Sequence, residues 1–295
     1  VSDAPGPTVI LGARVVDSAP LRWGFAHHTD LVTLDDGRRV VVKRFEGADG
    51  RRELVRSLAL TDRLHAAGIP TPAVLSAEPD RDPPVLVLAF VDGTTGAEWL
   101  DSDGRARTLA QTMGSLALRF RDLPVDDTDR NDGAWSDSGR LAQAATGWLA
   151  TLAPRLAPQG AGRRTVERIR DVIATLPDFY DATDPALAHG DFVPVNVLLA
   201  GDGSLAAVLD LGSWRIAHPW LDVAWWGSVV QTFHPEAWVT AWPVLASAAG
   251  VPDGGDAAAA LLRLQVLRSL EPAATRNDPS ALRLLYAAVG RQIEA

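Results

Sequence analysis

The residues with the clearest chemical content form one short run, His189-Gly190-Asp191-Phe192-Val193-Pro194-Val195-Asn196, followed by Val208-Leu209-Asp210-Leu211-Gly212. Transfer of a phosphoryl group to a hydroxyl uses an Asp beside the acceptor oxygen. An Asn five residues on and a second Asp at the start of the next turn bind the divalent cation that bridges the phosphates. Asp191, Asn196 and Asp210 have that order and spacing. With three asparagines (131, 196 and 277) and 29 aspartates in the chain, an Asp five residues before an Asn arises about 0.3 times by chance, before the preceding His-Gly is counted. Such chemistry needs charge neutralisation more than covalent help, so a cation must also meet the nucleotide phosphates from the other side. Arginine supplies 27 of the 28 basic side chains, and Lys43 is the single lysine. A guanidinium is a planar fork and an ammonium a compact point charge on a flexible stem, so a lone lysine marks a position where the fork does not serve. Chance survival of one lysine is the plain alternative.

These residues must be placed by the elements around them. Short β-branched runs at Val9 to Val16, Leu31 to Leu34 and Val40 to Lys43, with Asp35-Asp36-Gly37 as a hairpin turn, predict an antiparallel sheet that ends on Lys43. A helix is expected over Arg51 to Ala67, stopped by Gly68, Pro70 and Pro72. On it, Glu53, Ser57, Leu60 and Leu64 share one stripe, which turns the Glu53 carboxylate coreward, where it can hold Lys43. Alternatively Glu53 only complements the helix N-terminus. Glu46 is nearer Lys43 in sequence but sits in a turn and is expected to be solvated. Strands at Ala73 to Leu75 and Val85 to Phe90 complete about five, and Asp92-Gly93 marks a break. The expected division is therefore 1–91 and 92–295, a nucleotide-binding part and a catalytic, substrate-binding part.

Beyond the break, Arg105 to Leu123, Leu141 to Leu152 and Thr165 to Leu176 carry apolar residues at helical spacing. Asp126 to Gly139 and Pro154 to Gly162 read as surface loops. Short strands at Leu187 to Gly190, Val195 to Leu199 and Leu205 to Leu209 frame the chemical run, and helices resume near Pro219. No internal repeat or low-complexity tract occurs.

Composition excludes several classes. There is no cysteine, hence no disulfide framework, thiolate metal site or cysteine nucleophile. The net charge of −9 gives no footprint for nucleic acid or anionic membrane and leaves cationic small molecules as plausible partners. No run of about 18 apolar residues occurs, and the start VSDAPGPTV lacks a basic and an apolar leader region, so a cytoplasmic protein is expected. No oligomeric state is implied.

Taken together, His189-Gly190-Asp191 through Asn196, Asp210, Lys43 with Glu53, and Ile69-Pro70-Thr71-Pro72 before a strand make the chain resemble the aminoglycoside phosphotransferase family over roughly residues 10 to 240. The resemblance implies a two-lobed α+β protein-kinase-like fold, with an antiparallel-sheet N-terminal lobe bearing one helix and a mostly helical C-terminal lobe. It implies that Asp191 orients or deprotonates the acceptor hydroxyl, that Asn196 and Asp210 bind Mg²⁺, and that Lys43 holds the phosphates of ATP or GTP. Asp222 would support the catalytic loop, with His189 bracing it through a ring hydrogen bond. Gly24, in the Leu21 to His28 loop, and Phe90 would contact the nucleotide.

The pattern also departs from the family. The Gly-Asp-Pro usual before the last aspartate reads Ala217-His218-Pro219, the covering loop has one glycine and no G-x-G-x-x-G, and Leu116-Ala117-Leu118-Arg119-Phe120 stands where Leu-His is common. His27 and His28 are expected to be solvated, and His65, His218 and His234 are too scattered for a zinc site. Six of the ten tryptophans lie between Trp214 and Trp242. Dense tryptophans at helical spacing chiefly pack helices together. The alternative is an aromatic wall for a substrate, with Trp214 and Trp225 as its face and an acid such as Glu271 receiving an amine. The expected activity is Mg²⁺-dependent transfer of the γ-phosphoryl group to a hydroxyl of a small molecule, an aminoglycoside or another antibiotic first. A metabolic kinase of a sugar or amino alcohol comes second, and a nucleotide-binding pseudokinase regulator third.

Overall fold

The computed structural model describes residues 8–21, 28–126, 129, 133–156, 160–276 and 279–294. Two compact units are present, one of residues 1–95 with 195–213 and one of residues 96–194 with 214–295.

The first unit is built on a six-stranded antiparallel sheet. Its strands are β1 (Val9–Ile10), β2 (Ala13–Pro20), β3 (His28–Leu34), β4 (Arg39–Arg44), β5 (Val74–Glu78) and β6 (Val85–Ala89), in the order β1-β2-β3-β4-β6-β5. The sequence suggests one strand over Val9 to Val16 and hence about five in all. The run instead breaks at Leu11 and Gly12, which both take positive φ (51° and 80°) and turn it into a two-stranded hairpin. Alternation along β3 and β4 sends Val32, Leu34, Val40 and Val42 to one face, where they close a core with Ala13, Val85 and Val87. The opposite parity puts Val41 and Lys43 on the other face, in register with Leu88 and Leu86. That parity turns the lysine away from the Val32–Val42 core.

Helix α1 (Gly50–Ala66) buries Leu54, Ser57, Leu60 and Leu64. It ends where the sequence predicts. Gly68 takes φ 67°, its N–H bonds to the His65 carbonyl at 3.0 Å, and the Ile69 N–H reaches back to Leu64 at 2.8 Å. A second sheet in this unit joins β7 (Thr94–Thr95), β9 (Val197–Leu199) and β10 (Leu205–Val208) in the order β10-β9-β7. Gly93 makes the close approach possible, since a Cβ there would stand 3.0 Å from the Leu199 carbonyl oxygen.

The second unit is helical, with α2 (Asp103–Arg121), α3 (Ser138–Leu156), α4 (Gly160–Ala174), α5 (Leu176–Tyr180), α6 (Leu221–Phe233), α7 (Pro235–Ala248), α8 (Gly255–Thr275) and α9 (Pro279–Glu294). A two-stranded ladder pairs β8 (Ala186–Ala188) with β11 (Arg215–Ala217), Leu187 opposite Ile216. The loop expected from Pro154 is helix as far as Leu156. A proline in the last turn costs one carbonyl its partner, and burial of Leu152 and Leu156 outweighs that loss. Helices α2 and α7 cross closely at Gly114, where a Cβ would come 2.5 Å from the Leu245 carbonyl oxygen. Helix α8 is well enclosed, with Leu264, Val266, Leu267 and Leu270 all at 0 % exposure. Among the described residues no helix is long and apolar enough to cross a membrane.

Candidate active site

In the first unit, the sheet face that carries Lys43 forms one wall of a cleft of about 300 Å³. Val41, Leu86, Leu88 and Phe90 make it apolar on one side and Leu198 and Leu211 on the other, while Lys43, Asn196 and Asp210 supply polar groups. An apolar slot with a few convergent polar groups is what a flat ring with a charged tail requires. Lys43 Nζ stands 2.5 Å from Asp210 Oδ1 and 5.0 Å from the centre of the Phe45 ring. The lysine side chain is 13 % exposed and the aspartate side chain 40 %, so the pair has a dry side and a wet side.

Asp210 is held in a rare backbone state. It follows β10, takes φ 53°, and leads into a 3-10 turn over Leu211–Ser213. Outside glycine this region is sparsely populated, although Asp tolerates it better than most residues. The chain on either side is pinned: Leu209 N–H donates to the Asn196 carbonyl at 2.8 Å and Val208 N–H to the Pro70 carbonyl at 2.9 Å. Thus the Ile69-Pro70-Thr71-Pro72 segment ties the strand before Asp210, and Asn196 is fastened to the residue next to it. Glu53 stands in the first turn of α1 against the same turn, since a Cβ on Gly212 would lie 4.0 Å from Glu53 Oε2 and 3.5 Å from Ser57 Oγ. Phe90 follows β6 with the Arg39 guanidinium 4.1 Å over its ring. Leu21 also lines the cleft, and His28 pairs with Asp30 at 3.2 Å. Gly24 and His27 lie outside the described residues.

In the second unit the surroundings of Asp191 are built outward from the loop that carries it. Gly190 takes φ 81°, a conformation for which glycine is needed, and turns the chain sharply. Asp222, at the start of α6 and 4 % exposed, accepts the His189 N–H on Oδ2 at 2.7 Å and the Gly190 N–H on Oδ1 at 3.0 Å. Burial pushes the Asp222 carboxyl up, opposed by nearby His189 and by those two donors. His189 is fully buried between Phe120 and Phe192, and its Nδ1 accepts the Asp191 N–H at 3.3 Å. The Ala217-His218-Pro219 departure has a parallel arrangement. His218 Nδ1 accepts the Trp220 N–H at 3.2 Å, its own N–H donates to Tyr180 Oη at 3.0 Å, and its carbonyl receives Leu221 N–H at 2.9 Å.

Asp191 itself is held by Trp225, read from the sequence as a substrate face, and by Arg268, which the sequence reading did not single out. Trp225 Nε1 donates to Asp191 Oδ1 at 3.0 Å, and Arg268 Nη2 stands 3.9 Å from the same oxygen. Arg268 also gives two hydrogen bonds to the Gly190 carbonyl, at 3.0 and 2.8 Å, and lies 4.5 Å over the Trp225 ring. Trp214 and Trp225, the alternative substrate face, have little open surface. Both are 6 % exposed, and the face of Trp225 is covered by a guanidinium. Glu271 is likewise taken up within the protein, 2.8 Å from Arg215 and 3.3 Å from Arg268. Burial pushes the Glu271 carboxyl up, but the two arginines outweigh it and hold the group below the usual carboxylate range. The sequence does not single out Arg268: Leu264 to Leu270 includes the polar Gln265, Arg268 and Ser269, and only the structure shows all seven residues buried.

The profile of the phosphotransferase enzyme family matches residues 17–261 of the chain. No curated protein matches the sequence. Among solved structures, the GDP complex of wild-type aminoglycoside 2′-phosphotransferase-IIIa superposes with a TM-score of 0.70 at 15 % identity, covering 94 % of this chain and 93 % of that one. The gentamicin complex of APH(2″)-IIa gives 0.66 at 14 % identity, over 95 % and 92 %. Apo macrolide 2′-phosphotransferase MphH from Brachybacterium faecium gives 0.64 at 16 % identity, over 94 % of each chain. At such identities these likenesses concern the fold, a curled antiparallel sheet in one unit and a helical second unit. The family match extends over most of the sequence and includes Lys43, Asp191, Asn196, Asp210 and Asp222, and by it the chain belongs to the phosphotransferase enzyme family.

Proposed function

We propose that the protein transfers the γ-phosphoryl group of ATP or GTP to a hydroxyl of a small molecule, an aminoglycoside or another hydroxylated antibiotic in the first instance. The observation that carries this reading is the cleft in which Lys43, Asn196 and Asp210 meet, with Asp191 five residues before Asn196 on a separately braced loop. The apolar walls suit a nucleobase, and the Lys43 ammonium suits phosphate oxygens. Solved relatives in fold supply the acceptor class, being named for aminoglycosides and macrolides.

Mg²⁺ fits the donor set. No cluster of three His, Cys, Asp or Glu occurs among the described residues, as a cage for a resident ion would need. One carboxylate (Asp210) and one amide oxygen (Asn196) are what a hard cation takes when phosphates and water complete its shell. Bound there, Mg²⁺ would neutralise phosphate charge. The chain's own residues would do the rest. Lys43 would share its charge between Asp210 and the phosphates. Asp191 would accept the proton of the acceptor hydroxyl as that oxygen bonds to the γ-phosphorus and the bond to the departing nucleoside diphosphate breaks. Trp225 and Arg268 hold one oxygen of Asp191 and so fix the direction of the other.

Release of nucleoside diphosphate, measured with Mg²⁺ over a panel of aminoglycosides and macrolides, tests this. Acceptor-dependent release that disappears in Asp191→Asn is expected. Silence with every antibiotic would overturn the acceptor class, and undiminished turnover by Asp191→Asn would overturn the role of Asp191.

A further inference from the structure

The second unit holds a larger groove that the phosphotransfer reading does not use. It measures about 760 Å³ and is bounded by α6, α7, α8 and α9. On α6 it begins at Gln231, six residues past Trp225, or about 9 Å further along the helix from the Asp191 contact. One wall is aromatic. Trp238 and Trp242 stack with ring centres 4.5 Å apart and planes 22° from parallel, and both are part-exposed. Gly227 seats them, because a Cβ there would come 2.9 Å from Trp242 and 3.4 Å from Trp238.

The lining also includes Arg291. Its Nε donates to Gln265 Oε1 at 3.1 Å, its Nη2 to Ser228 Oγ at 3.0 Å and its Nη1 to Thr232 Oγ1 at 3.5 Å. All three acceptors are neutral oxygens. Among the residues whose side chains are described, which excludes 292–295, no carboxylate stands within ion-pair distance of this guanidinium, in contrast to Arg268, which has Glu271 and Asp191. Burial alone lowers its affinity for its proton, to a value of about 10. A guanidinium has five N–H groups, so these three bonds leave two for a ligand. A half-buried cation held only by neutral groups gains most from an anion, and its planar fork matches a carboxylate. Asp253 also borders the groove, which favours one negative charge over two.

From these observations we propose that this groove is a second ligand site, for an organic monoanion whose carboxylate meets Arg291 and whose flat apolar ring lies on Trp238 and Trp242. The site is distinct from the Lys43 cleft and does not depend on the phosphotransfer reading.

Naphthalene-2-carboxylate and its neutral amide, naphthalene-2-carboxamide, serve as a matched pair, titrated against the whole protein while the indole N–H signals are followed by NMR. The acid is expected to move the Trp238 and Trp242 signals saturably, at a concentration at least about tenfold lower than the amide. Arg291→Gln should abolish that preference, and Trp242→Leu should weaken acid and amide together. Should Arg291→Gln not fold, Arg291→Lys keeps the charge without the fork and should lose most of the preference. Equal binding of acid and amide would overturn the proposal. So would the absence of saturable shifts, or a preference that survives replacement of Arg291.

Discussion

Replacing Trp225 by Phe removes one hydrogen bond from Asp191 and leaves an aromatic face beneath Arg268. The bond lost is the 3.0 Å contact from Nε1 to Asp191 Oδ1. A hydrogen bond to an ionised group contributes about 1.5–3 kcal/mol, so if the whole of it serves to aim Asp191, kcat falls by roughly 10- to 150-fold. Arg268 is 3.9 Å from the same oxygen and would retain the charge interaction, which places the expected loss near the lower end, about 10- to 30-fold. Lys43, Asn196 and Asp210 belong to the other unit, so the KM for nucleotide should stay within about twofold. The assay is steady-state nucleoside diphosphate release with saturating acceptor, run beside Trp148→Phe, in α3 against Trp135, as a control for loss of an indole elsewhere. A kcat within twofold of the parent, in a variant with an unaltered melting curve, would refute the orienting role. A rise in nucleotide KM with kcat unchanged would also refute it.

Three further outcomes are expected. Lys43→Met should lower kcat/KM for nucleotide by at least about 100-fold, while thermal stability moves by less than about 1 kcal/mol because Asp210 is 40 % exposed and water can replace the lost partner. Burial pulls His218 down from 6.5 to about 4. Below pH 6.5 the unfolded chain takes a proton there that the folded chain refuses, so stability falls as pH drops towards 4, by up to ~3 kcal/mol. His218→Asn, which keeps an acceptor for the Trp220 N–H, should flatten that slope in denaturant titrations at pH 7.5 and 5. Gly114→Ala should destabilise by about 1–3 kcal/mol, read as a lowered melting temperature, because the new methyl would meet the Leu245 carbonyl and the Ala248 Cβ, 2.5 and 2.7 Å away.

Much of the architecture follows from local pattern. The alternation of Val40-Val41-Val42-Lys43 determines which face Lys43 takes, and Gly68 sets the end of α1 through its positive φ. The division of Val9 to Val16 into two strands was less legible, because Leu11 adopts a positive φ that its side chain does not advertise. Pro154 misled in the other direction, since the buried Leu156 beyond it carries the helix past the proline. At the site, residue spacing pointed to Asp191, Asn196 and Asp210, whereas Asp222 came only from the family resemblance and reaches His189 and Gly190 from 33 and 32 positions away. Arg268 reaches Gly190 from 78 residues away, and Trp225 reaches Asp191 from 34. Long-range partners of that kind leave no periodic trace.

The first unit is made of two stretches of chain, and this has a temporal consequence. Lys43 and Asp210 are 167 positions apart, and β9 and β10 lie beyond most of the second unit's sequence. During vectorial synthesis the six-stranded sheet can form early, but its cleft lacks one wall until about residue 211 has left the ribosome. A nascent chain arrested at residue 180 would therefore present Lys43 without its carboxylate partner and the apolar face of Val41, Leu86 and Leu88 without Leu198 and Leu211 opposite. Exposed apolar surface of that kind is what chaperones bind, and the late arrival of Asp210 makes completion of this cleft a late event of biosynthesis.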